Sequence, residues 1–132
     1  MAEQHPNVLH YIRAIQAFNE NDLNTVKETT SENIVYRIAG RSPLAGEYRG
    51  IEQFGKVLQL AKELSDDTIA FEPKVVLADD EYVMVYGRAT AKREGKILDI
   101  DHAYLYRFDD NGKFVEGRTI PVDLYTFDEF WS

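Results

Sequence analysis

Residues 37–50 read RIAGRSPLAGEYRG, and the stretch keeps neither the 3.6-residue period of a helix nor the two-residue period of a strand. It holds three of the chain's eight glycines and one of its four prolines. On its N-terminal side, Ile34–Ile38 (IVYRI) is β-branched and aromatic and reads as a strand. On its C-terminal side, Phe54, Val57, Leu58, Ala61 and Leu64 recur at helical spacing over residues 51–64. So much turn chemistry between two regular elements predicts a structured loop that forms one rim of a ligand pocket.

Outward from the loop, the chain divides into a helical first half and a strand-rich second half. Val8, Tyr11, Ile12, Ile15 and Phe18 predict an amphipathic helix over residues 6–19, with Pro6 suited to its first turn. Asp22 can cap a short second helix that carries Leu23 and Val26. Strands are expected at residues 69–77, 82–91, 97–108 and 114–122. Arg93-Glu-Gly-Lys96 and Asp109-Asp-Asn-Gly112 are the hairpin turns, the second being the strongest turn signal because Asn-Gly tolerates positive φ. Residues 124–131 read as a short tail. Helices first and a strand meander second imply one α+β domain over residues 1–132, a curved antiparallel sheet packed against three helices.

Composition narrows the function classes. The chain has 132 residues and a net charge of −8, unfavourable for a nucleic-acid backbone. There is no cysteine, hence no thiol nucleophile or thiolate metal site. The three histidines fall at no metal-ligand spacing, so neither a metal nor a cofactor is expected. The polar start MAEQHPN is no signal peptide and no apolar run spans a membrane, so a cytoplasmic domain is the expectation. The second strand-rich face, half aromatic and half charged, predicts a homodimer through the outer face of the sheet.

Three strings now carry a resemblance. PLAGEYRG at 43–50 opens a helix, YRFDDNGKF at 106–114 makes a hairpin, and RTIPVDLYTFDEFW at 118–131 closes the chain. Together with the order helix–helix–strand, they resemble a SnoaL-like domain of the nuclear transport factor 2 and ketosteroid isomerase superfamily. The resemblance implies a cone-shaped roll with a pocket in its open end, commonly dimeric. It implies no single activity, since isomerases, cyclases, hydrolases and binding proteins share the scaffold. Matching position by position, the isomerase tyrosine, base and protonated aspartate fall on Ala14, Arg37 and Tyr104. An arginine cannot serve as the base. Asp123 matches the acid/base aspartate of SnoaL-type cyclases. Asp101 would be needed for an epoxide hydrolase pair, but it alternates away from Tyr104.

With Tyr104 taken as inward, His102, Tyr106 and Phe108 share its face. Val35 and Arg37 are expected opposite them, with Gly117, Thr119 and Asp123 along the last strand and Tyr11 on the first helix. The catalytic candidates are therefore His102, Asp123, Arg37 and Tyr104. His102 and Asp123 would share a proton, Arg37 would bind a carboxylate or enolate, and Tyr104 would donate a hydrogen bond. The ligand-binding candidates are Tyr11, Val35, Tyr106, Phe108, Gly117 and Thr119. The bland readings stand beside these: a satisfied sheet histidine, an Asp123 that caps the tail, and an Arg37 paired with Glu47 or Glu52. The expected ligand is a small apolar or carbonyl-bearing molecule, transformed by proton transfer or simply bound.

Overall fold

The computed structural model describes residues 5–132; the Met1–Gln4 part of the polar N-terminal segment lies outside them. Helix α1 (Pro6–Asn19) starts where the sequence places it, with Pro6 in its first turn and the His5 side chain accepting from the Asn7 amide. Helix α2 (Leu23–Glu28) is capped by Asp22, whose carboxylate accepts from the Thr25 amide and hydroxyl at 3.1 and 2.6 Å. Strand β1 (Thr30–Ile38) follows. The loop then contains a short strand the sequence did not suggest, β2 (Gly46–Arg49), which turns back along β1. Gly50, at φ 89°, opens α3 (Ile51–Leu64). The rest is β3 (Ala70–Ala78), β4 (Tyr82–Arg93), β5 (Lys96–Phe108), β6 (Phe114–Pro121) and a C-terminal helix α4 (Leu124–Trp131).

The fold is α+β, one six-stranded sheet in the order β2-β1-β6-β5-β4-β3 with four helices. Two details correct the sequence reading. The sheet is mixed, because β1 runs parallel to β6, pairing Tyr36 with Gly117 and Arg37 with Arg118. The C-terminal tail is a helix, because Asp123 caps it and Phe127, Phe130 and Trp131 fall on one buried face.

Alternation along β4 and β5 sorts the sheet into two faces. Val83, Val85, Ala89 and Ala91 on β4, and Leu98, Ile100, His102 and Phe108 on β5, are buried toward the helices. Tyr82, Met84 and Tyr86 stand on the opposite face and are exposed. Register shifts at Pro73/Val75, Thr30/Val35 and Arg107/Phe108 break the ladders locally, which bends and twists strands at such points. Pro73 lies on an edge strand at a register shift, a place where a missing amide hydrogen is tolerated. No helix among the described residues is long and apolar enough to cross a membrane.

Candidate functional site

A cavity opens between the first three helices and the inner face of the sheet. Helix α1 contributes Tyr11, Ala14, Ile15 and Phe18, and α3 contributes Phe54 and Leu58. Helix α2 adds Val26 and the turn after it Thr29, and the sheet adds Thr30, Tyr36, Tyr104, Tyr106 and Phe114. Its volume is about 560 Å³, open mouth included, and aromatic rings of α1, α3 and the sheet narrow it from both sides.

Its polar equipment is almost wholly phenolic. Tyr104 and Tyr106 lie nearly parallel, 5.9 Å apart at 21°, and Tyr36 continues the row at 6.3 Å and 17° from Tyr106. Tyr11 leans over Tyr106 from α1, ring to ring 5.9 Å. Burial pushes all four phenols well above the ordinary tyrosine range, and their mutual crowding adds to it. They are neutral at any physiological pH. The buried Tyr11 hydroxyl has no protein hydrogen-bond partner.

Gly117 does not line the cavity but makes its floor possible. A Cβ there would stand 2.6 Å from Tyr106 Cε1 and 2.9 Å from Tyr36 Cδ1, so only a glycine lets both rings lie on the β6 backbone. Phe108 is also inward yet outside the cavity, packed on Phe114 at 4.9 Å. Thr119 is buried in another task, its hydroxyl accepting from the Ala39 amide at 3.0 Å where the 37–50 loop departs.

The proton-sharing set expected from sequence is not assembled. His102 lies one inward position beyond Tyr104 on β5, 1% exposed, and neither ring nitrogen has a partner. Its ring is enclosed by Tyr104 at 4.6 Å, Phe127 of α4 at 5.3 Å and Phe71 at 6.3 Å. Burial lowers its pKa to about 4, so it is neutral at pH 7. Asp123 faces solvent and caps α4, its carboxylate accepting from the Thr126 hydroxyl and amide at 2.6 and 3.0 Å. Those same bonds, the hydroxyl first, hold it below the usual carboxylate range.

Arg37 and Val35 also require correction. The inward residues of β1 are Ile34 and Tyr36, at 0% and 5% exposure, so Val35 and Arg37 lie on the other face. Arg37 pairs with Glu47 at 3.1 Å, and Glu47 pairs with Arg49 at 2.8 Å, which pins β2 to β1 outside the cavity. Sequence held the signal: within IVYRI one parity, Ile34, Tyr36 and Ile38, is wholly apolar, while the other contains the arginine. Following that alternation would have found Tyr36. Asp101 points outward as expected, bonded to Arg88 at 2.9 Å.

The 37–50 loop is tied to α4 and not to the cavity. The Asp128 carboxylate accepts from the amides of Arg41 and Ser42 at 2.9 and 3.3 Å. Gly40, at φ 100°, lies so close that any Cβ would collide with that carboxylate. Among the described residues, no group of three or more His, Asp or Glu side chains is placed to hold a metal ion.

A family model described as a SnoaL-like domain matches residues 11–117, from the first tyrosine of the cavity to the glycine beneath it. The chain belongs to the SnoaL-like family. A solved relative from a soil-derived mobile gene cassette is 32% identical, covers 96% of each chain and superposes with a TM-score of 0.91. An uncharacterized protein of Mycobacterium tuberculosis is 26% identical over 122 residues, 91% of this chain and 92% of its own. A putative SnoaL-like polyketide cyclase from Jannaschia sp. CCS1, 18% identical with a TM-score of 0.81 over 100% of this chain and 98% of that one, shares the fold. This SnoaL-like chain thus has the scaffold of its relatives, with a cavity walled by aromatic rings.

Proposed function

We propose that this SnoaL-like chain binds a small, largely apolar, carbonyl-bearing molecule in the cavity between α1, α3 and the sheet. One observation carries the reading: none of the residues lining the cavity is charged, and its polar atoms are phenol and threonine hydroxyls. Concave, mainly apolar walls with a few convergent polar groups are the usual form of a small-molecule site. The test is native mass spectrometry of the protein recovered from an extract of its own host. An adduct of small-molecule mass is expected on the wild type and not on Leu58→Trp, which fills the cavity. A bare protein mass, or an adduct retained unchanged by the variant, would refute binding there.

A second reading, cofactor-independent proton transfer as in an isomerase, cyclase or hydrolase, rests on His102. A neutral imidazole with both nitrogens unpartnered sits directly behind the Tyr104 wall, and such a group can accept a proton from a ligand that displaces Tyr104. The polyketide cyclase label of the Jannaschia relative is compatible with that reading. His102→Gln would then leave the adduct in place and abolish its conversion; conversion that persists in His102→Gln excludes the histidine.

The reading includes a homodimer through the outer sheet face. Met84 pairs with Leu105, and Tyr86 pairs with Ala103, which pairs with Ile120. Tyr82, Met84, Tyr86, Ile120 and Val122 leave an apolar surface across β4, β5 and β6. Sedimentation of wild type against Tyr86→Asp tests it, with a monomeric wild type as the contrary result.

A further inference from the structure

The expectation of an arginine-bound carboxylate or enolate leaves the site once Arg37 is placed outside the cavity, and what replaces it defines the ligand's charge. No lysine, arginine or protonated histidine lines the cavity. Among the described residues the buried lysine is Lys62, 2% exposed, and it is already committed. Its ammonium donates to the Phe18 carbonyl at 2.6 Å and sits 4.1 Å from the centre of the Phe18 ring, holding the end of α1 against α3. An acidic ligand would therefore lose its hydration in the cavity and gain no counter-charge, which is costly for a carboxylate. A neutral ligand loses far less and meets phenols that can donate.

The shape follows from the rings. Tyr36, Tyr106 and Tyr104 stand in a near-parallel row along one wall, and the space in front of them is narrow. A flat, unsaturated molecule fits such a slot better than a globular one, and ring contacts of this kind favour offset stacking or edge contact. On the opposite wall, the Tyr11 hydroxyl is buried and has no protein hydrogen-bond partner. A buried donor left unmade is costly, so a ligand oxygen that accepts from it gains the full difference.

We infer that the cavity selects uncharged, flat ring compounds bearing a single acceptor oxygen, which Tyr11 takes, and rejects the corresponding carboxylates. This rests on the small-molecule reading of the cavity given above. The Tyr11 hydroxyl acts as a specificity-determining donor, and exclusion of charge comes from the whole lining.

Three probes of one ring system separate the terms: 2-acetylnaphthalene, 2-naphthoate and 2-methylnaphthalene, titrated into the full chain at pH 7.5 with binding read by ligand-observed NMR. The ketone is expected to bind at least tenfold more tightly than the carboxylate. Tyr11→Phe should weaken the ketone about five- to tenfold, the usual scale of one hydrogen bond, and leave 2-methylnaphthalene unchanged. The ketone-to-carboxylate ratio is measured on the wild type and needs no variant to fold. Naphthoate binding as tightly as the ketone would overturn the charge selection while leaving the pocket reading intact. An equal loss of ketone and methylnaphthalene in Tyr11→Phe would overturn the assignment of the donor. Failure of all three probes would remove the pocket reading and this inference together.

Discussion

The inward row of β5 runs through two environments that differ at one residue step. At Tyr104 and Tyr106 the row faces open space under α1 and α3. At His102 it is sealed by Phe127 of α4 and by Phe71. Both ends are aromatic, but the first is half-buried beside a cavity and the second is buried and packed solid. The difference lies in what covers them. Helices α1 and α3 lay Tyr11 and Phe54 on the tyrosines but carry the shorter Ala14, Ile15 and Leu58 beside them, which leaves a gap, whereas α4 lays Phe127, Phe130 and Trp131 directly on the sheet. Packing to native density on one side and withheld filling on the other is how a small fold keeps both a core and a site.

The closed end should carry the larger share of stability. Trp131 is 1% exposed and lies edge-on to Phe130 at 4.8 Å. Trp131→Ala is expected to cost about 3–5 kcal/mol by cavity formation, read as a shift in the denaturant midpoint. Its indole Nε1 has no hydrogen-bond partner, so Trp131→Phe should recover most of that loss. A loss in Trp131→Phe equal to that of the alanine variant would mean the indole nitrogen is satisfied after all.

His102 sharpens the comparison through pH. The folded chain holds it neutral down to about pH 4, while the unfolded chain protonates it near its ordinary value of 6.5. Between those values the unfolded state binds the extra proton, so stability is fully present above about pH 6.5 and falls as pH drops toward 4. The loss across that window is on the order of 3 kcal/mol. His102→Leu, close in volume and without a titrating group, should flatten the slope between pH 6.5 and 4. A slope unchanged in the variant would place the proton uptake elsewhere.

Much of this division was legible in the residues and part was not. The parity of β5 follows from Leu98, Ile100, His102, Tyr104, Tyr106 and Phe108 occupying alternate positions, and the row that faces the helices and the cavity is that row. The first three helices are legible from period and caps. What escaped is non-local. Nothing in GEYR announces a strand until β1 is there to pair with it, and the parallel pairing of β1 with β6 joins residues some 80 positions apart. Residues 124–131 carry a cap and an apolar face, but a helix of eight residues is marginal until tertiary packing supplies its stability. Positional likeness puts Asp123 and Arg37 in the catalytic set and strand parity puts His102 there, but for Asp123 and Arg37 the bland alternatives, a cap on the tail and a pair with Glu47, are what the structure shows.

Gly117 tests the open end. Adding a methyl group must push the Tyr106 or Tyr36 ring off the β6 backbone and toward the cavity, since both stand under 3 Å from where the Cβ would be. Gly117→Ala is expected to cost about 1–3 kcal/mol as overpacking and to weaken 2-acetylnaphthalene more than it destabilises the fold. Unchanged ketone binding in Gly117→Ala would show that neither ring borders the ligand.

The smallest effect belongs to the tie between the 37–50 loop and α4. Asp128 is the one acidic side chain of α4 that reaches the 37–50 loop, accepting from two consecutive amides, and Gly40 is required for its approach. Asp128→Ala leaves the Arg41 amide to water, because Arg41 is exposed, and takes a partner from the amide of the buried Ser42, so the cost should be about 1–2 kcal/mol. Its informative readout is local. Amide exchange at Arg41 and Ser42 should accelerate, together with that of α4 if the helix and loop open as one unit, while the exchange of α1 and α3 around the cavity stays as in the wild type. Faster exchange that spread to α1 would mean that the sealed and open ends of the row are not independent, and the contrast between them would fail.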